Sequence, residues 1–149
     1  MTESLASQLD LIAVPRILLK LRAGITGFEI EPDLTAIEPL AMPAAAVRTL
    51  KANPASLLAL RVRDEGMEPM LFEDDWVVLN VEDTAVRSGE IYAVNWNGEP
   101  CVQQLVQRGG QWFLSYLNPA FHPINIRSGQ LQVVGRVVYQ AGRLTTGRL

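Results

Sequence analysis

The sequence predicts a mainly β fold, one domain of the sandwich or barrel class. Three observations carry that prediction. From residue 57 onward, β-branched and aromatic segments recur at intervals of about ten residues. Turn dipeptides fall between them: Asn97-Gly98, Gly109-Gly110, Asn118-Pro119 and Ser128-Gly129. A chain of 149 residues, 48% hydrophobic and 19% charged, supplies one packed core and excludes disorder of the whole chain.

Residues 1–9 read as a short helix or a frayed arm. Ile12 to Leu21 is apolar, and Pro15 within it suits an edge strand or extended arm better than a helix. Residues 22–43 read as loop, because Gly24, Gly27, Pro32, Pro39 and Pro43 punctuate them. Ala44 to Leu50 is a helical turn that Asn53-Pro54 stops. Strands follow at Leu57–Arg63, Trp76–Leu79 and Glu90–Trp96. Asn97-Gly98 turns the chain into a returning strand, Cys101–Gln107. Arg108-Gly109-Gly110 turns it again into Gln111–Leu117, and Ile124–Ile126 and Leu131–Gln140 complete the pattern. No internal repeat is present, and no helix-turn-helix can be placed, since the prolines of residues 1–55 leave no room for two adjoining amphipathic helices.

Thirteen basic and sixteen acidic residues give a net charge of −3, the wrong sign for a stand-alone nucleic-acid binder. The charge is uneven. Residues 64–99 carry ten acids and one base, Arg87, whereas residues 100–149 carry five arginines and no acid. Such segments form solvated faces or a self-complementary surface between copies. One cysteine, Cys101, and one histidine, His122, exclude an internal disulfide and a His/Cys zinc site. With no apolar span and no basic-then-apolar leader at the start, a cytoplasmic protein without cofactor or metal is expected.

Residues 62–80, VRDEGMEPMLFEDDWVVLN, resemble the signature of the LexA-like serine peptidases, the family of LexA, phage repressors and UmuD. Met67-Glu68-Pro69 and Asp75-Trp76-Val77-Val78 match in place. Gly89 to Val94 resembles the family's hairpin strand, Ser115 to Ile124 its Ser-x-Asn-Pro-x-Tyr-x-Pro-Ile tract, and Gly135 to Val138 its final strand. Arg22-Ala23-Gly24 resembles the Ala-Gly bond that these proteins cut in themselves. The resemblance implies the small, twisted sheets and hairpins of the β-clip peptidase fold over residues 28–149. Residues 1–27 become a short N-terminal arm, and the chain contains no helix-turn-helix.

The sequence departs from that signature at Asp64-Glu65, which replaces the usual Gly-Asp, and at both catalytic positions. The family's nucleophilic serine falls on Gly66, and its general-base lysine falls on Gln103. Glycine has no nucleophile, and a neutral amide takes no proton from a hydroxyl. In the family the lysine must be desolvated to act as a base. The two lysines here, Lys20 and Lys51, both precede the motif. Dyad members act as a unit, so the resemblance implies a pseudo-peptidase that does not cut Ala23-Gly24.

Other candidates are weaker. Ser88 suits turn chemistry. Ser115 and His122 could meet across a turn, but no third group orients them. Cys101 reads as a buried, inert thiol. Glu73-Asp74-Asp75 could attract a divalent cation, although adjacent turn residues point apart. Trp76, Trp96 and Trp112 could stack on single-stranded nucleic acid, but their acidic surroundings favour packing. By resemblance, the chain is the dimerisation and regulatory domain of a repressor-like transcription regulator of the SOS or prophage type. Its self-interface would involve Gly135, Arg136, Val137, Val138 and Tyr139, and DNA would be reached only through a helix-turn-helix outside this chain. An antirepressor is the implied partner. Two alternatives remain open: a UmuD-like partner of a translesion polymerase, and an active self-cleaving peptidase with another nucleophile.

Overall fold

A computed structural model describes residues 10–21, 28–35 and 38–141. Among these residues, eleven strands form two sheets. The larger has nine strands in the order β10-β9-β8-β7-β11-β6-β5-β2-β3, and the smaller is the pair β1-β4. The strands are β1 Leu11–Val14, β2 Arg16–Leu21, β3 Phe28–Pro32, β4 Leu40–Pro43, β5 Leu57–Arg61 and β6 Trp76–Asn80. They continue with β7 Ile91–Trp96, β8 Glu99–Arg108, β9 Gln111–Ser115, β10 Ile124–Asn125 and β11 Leu131–Gln140. The mainly β prediction is therefore met. Among the described residues one α-helix, α1 (Ala44–Leu50), lies where alanine favoured it, and it ends at Lys51 in the left-handed region (φ 54°).

The β-hairpins follow the turn signals. Asn97 and Gly98 both take positive φ, 50° and 90°, as a two-residue turn requires, and join β7 to β8 in the register Trp96 to Glu99. The loop expected over residues 22–43 is corrected, since it contains β3 and β4. Proline misled there because Pro32 and Pro43 are strand-terminal residues. β3 is the outer strand of its sheet and β4 belongs to a two-stranded pair, so neither proline breaks a central ladder. Pro15 divides the segment expected as a single strand into β1 and β2, which serve different sheets.

Three apolar clusters hold these layers. One sits under α1 and the small sheet and contains Val14, Met42, Val47, Leu57 and Val78. A second contains Tyr92, Val94, Leu105 and Leu114 beneath the β7-β8-β9 hairpins. The third joins β2, β5, β6, β7 and β8, and into it drop Met67 and Leu71 from the loop between β5 and β6. Both side chains are fully buried, and each contributes about 1.5–3 kcal/mol of apolar transfer. The loop's ends are clamped by Val62 N–H donating to the Asp75 carbonyl and Asp74 N–H donating to the Val62 carbonyl, both 2.8 Å. Gly66, next to Met67, is thereby held at a defined place on the lip of the core.

Candidate functional site: a cleft around Gly66 and Gln103

The motif Met67-Glu68-Pro69 lies in a tight turn in which Met70 and Leu71 N–H both donate to the Met67 carbonyl at 2.9 Å. Asp75 anchors the far side of the loop, its carboxylate accepting from Phe72 N–H at 2.8 Å. Gly66 is buried, and both of its backbone polar groups are taken. Its N–H donates to Asp64 Oδ1 at 3.0 Å, and its carbonyl accepts from Asn118 N–H at 3.0 Å. Asn118 adds a second tie, donating from Nδ2 to the Glu65 carbonyl at 2.9 Å. The two tracts singled out in the sequence, 62–80 and 115–124, therefore face each other across one cleft.

Gln103 reaches the same place from β8, whose register with β7 pairs it with Tyr92. It is 1% exposed. Its Nε2 donates to both Asp64 oxygens at 3.4 Å, the long end of the hydrogen-bond range. Its Oε1 is buried and makes no hydrogen bond among the described residues. The structure thus brings positions 66 and 103 together, as the family spacing requires, and places a carboxylate between them. A Cβ built on Gly66 would lie 2.5 Å from Tyr116 Cδ1 and 2.9 Å from Gln103 Nε2. The space next to Gly66 is occupied by a tyrosine ring and an amide.

Tyr116 stacks on Phe121, with ring centroids 5.3 Å apart at 22°. Together with Asp64, Trp96, Glu99 and Gln103 they border a cleft of about 190 Å³. Burial first, and then the negative charges of Asp64 and Glu99, push the Cys101 thiol up to about 12. The Tyr116 phenol is raised for the same leading reason, burial. Both groups stay protonated at neutral pH, so neither is a ready nucleophile. Residues 64, 116 and 121 were not marked as site residues by sequence reasoning. Asp64 stood out only as a departure from the signature, and the aromatic pair lay within a matched loop with no chemical motif of its own.

A family model for Peptidase S24-like proteins matches residues 16–138. The chain belongs to the Peptidase S24-like family. It is similar to the LexA repressor of Mycobacterium ulcerans (strain Agy99), 37% identical over 84 residues, which cover 56% of this chain and 33% of that protein. The LexA repressor of Mycobacterium tuberculosis (strain CDC 1551 / Oshkosh) is 36% identical over 91 residues, covering 61% and 37%. That of Mycobacterium leprae (strain Br4923) is 36% identical over 84 residues, covering 56% and 34%. The matched stretch thus spans about a third of each relative's length.

Other residues of this S24 domain sit as follows. Ala23 and Gly24 lie outside the described residues. Ser88 Oγ accepts from Gln107 N–H at 2.9 Å, a tie to β8 rather than a bond within its own turn. Ser115 is buried in β9, His122 is exposed, and no hydrogen bond joins them among the described residues. No cluster of three or more metal-ligating side chains occurs among the described residues. Trp76 packs beside the α1 cluster, with Arg16 and Arg61 guanidinium carbons 4.5 and 4.9 Å from its ring centroid, while Trp96 and Trp112 pack against the hairpin cluster. Gly135, Arg136, Val137, Val138 and Tyr139 all belong to β11. Gly135 and Arg136 pair with β7, whereas Val137 and Tyr139 pair with β6 alone, so past Arg136 the β7-side edge of the strand has no ladder partner among the described residues. No helix among the described residues is long and apolar enough to cross a membrane.

Proposed function

We propose that this chain is the regulatory half of a LexA-like repressor, a self-associating S24 domain that does not cut itself. One observation carries the proposal: the place where an attacking side chain would project from residue 66 is filled by Tyr116 and Gln103. Electrostatics agree with it. Acyl transfer needs donors aimed at a developing oxyanion, and here the Gly66 N–H is engaged by the Asp64 carboxylate, whose negative charge opposes one. The relatives support a repressor in preference to a polymerase partner, because each similar protein named above is a LexA repressor. In this reading DNA is bound by a separate head, and the domain raises affinity by holding two heads together.

The test is incubation of the purified chain at alkaline pH, followed by intact-mass analysis. The chain is expected to keep its full mass. A fragment ending at Ala23 would overturn the reading.

A further inference from the structure

The cleft around Gln103 has a chemical character of its own. It presents hydrogen-bond acceptors and aromatic faces: the Asp64 and Glu99 carboxylates, the Gln103 amide, and the rings of Trp96, Tyr116 and Phe121. No basic side chain lines it among the described residues. Gln103 is 1% exposed, with an acceptor oxygen left without a partner among the described residues. A volume of about 190 Å³ is small for a metabolite and adequate for one side chain.

We propose that this cleft is a receptor for an arginine side chain carried on an extended segment of a partner protein. A guanidinium is the cation that suits both halves of the lining: it is planar, stacks on aromatic faces and donates in a fork to carboxylates. An acidic or phosphorylated segment is excluded by the two carboxylates, and an apolar one would bury their charge without a cation to offset it. The cleft's electrostatics point the same way. Cys101 and Tyr116 are both shifted toward their neutral forms, first by burial and further by the Asp64 charge, in keeping with a negative lining. This inference rests on the proposed reading that the cleft no longer cuts.

The probe is a blocked peptide, acetyl-Ala-Arg-Ala-amide, titrated against the full chain and followed by backbone amide chemical shifts. Its citrulline counterpart keeps the shape and removes the charge. The arginine peptide is expected to bind about tenfold more tightly, with shifts centred on Trp96, Gln103 and Tyr116. Glu99→Gln and Phe121→Ala, both at exposed positions, should each weaken binding several-fold without altering the rest of the spectrum. Equal affinity for the two peptides, shifts centred elsewhere, or no saturable binding at tens of millimolar would each overturn the proposal. Binding that appears only in an Arg22→Ala variant would assign the cleft to the chain's own segment and overturn the partner. The peptide contains no Ala-Gly bond, so its titration is independent of whether the chain cuts itself.

Discussion

At the scale of single residues, Asp64 and Tyr116 crowd positions 66 and 103 of the cleft. A lysine placed at 103 would lie against the Asp64 carboxylate, which stabilises the ammonium form and removes the base. A serine placed at 66 would meet the Tyr116 ring. The pair Gly66→Ser with Gln103→Lys is therefore expected to remain uncut at Ala23 under alkaline incubation. Adding Asp64→Gly and Tyr116→Ala should allow cleavage, read by mass. Cutting by the pair alone would show that Asp64 and Tyr116 are no obstacle. The two substituted positions were legible in the sequence because Met67-Glu68-Pro69 sets the register. The blocking roles of Asp64 and Tyr116 were not, since residues 64 and 116 meet only when the loop before β6 and the end of β9 converge. Asp33 offers a second test. The hydroxyl and N–H of Thr35 donate to its carboxylate, holding it below its ordinary value. A depressed carboxylate stabilises the fold above its ordinary value, and that contribution is lost as the pH falls through the folded value. Asp33→Asn should lower urea stability at pH 7, and the deficit should vanish toward pH 2.

At the scale of elements, β11 carries a steric condition set by backbone. Irregular register at Val133–Gly135 against β7 and at Val137–Tyr139 against β6 lets one strand serve two partners. Between those bulges a Cβ on Gly135 would lie 2.6 Å from the Asn80 carbonyl oxygen, a backbone atom with little room to yield. Gly135→Ala should cost about 2 kcal/mol, visible in the urea midpoint. Arg136, one residue on, anchors the chain after β6 by donating from Nε to Asp83 Oδ2 at 2.7 Å. β11 was readable as a strand from its β-branched composition, with two pairs of valines, after the Ser128-Gly129 turn. Its central place in the sheet was not readable, because strand order depends on contacts distant in sequence. The same limit hid β3 and β4. Local proline content argued for loop, and only the sheet edge and the two-stranded pair explain why proline is tolerated there.

At the scale of the whole molecule, β11 past Arg136 is paired only on its β6 side among the described residues, so self-association has that edge to use as well as sheet faces and outer strands. Half-buried Val137, Val138 and Tyr139 line a groove of about 310 Å³ with exposed Met70. Light scattering at tens of micromolar is expected to give a dimer, and a strict monomer would remove the self-association half of the proposed function. The strand order has another consequence, for how the protein is made. Residues 16–80 supply one flank of the large sheet and residues 91–125 the other, and the last strand of the chain lies between them. During synthesis, β6 and β7 each present an unsatisfied edge until residues 131–140 emerge from the ribosome. For that interval the nascent chain is two open half-sheets, both able to pair with the wrong strand, and its two halves become one body only once residues 131–140 have emerged.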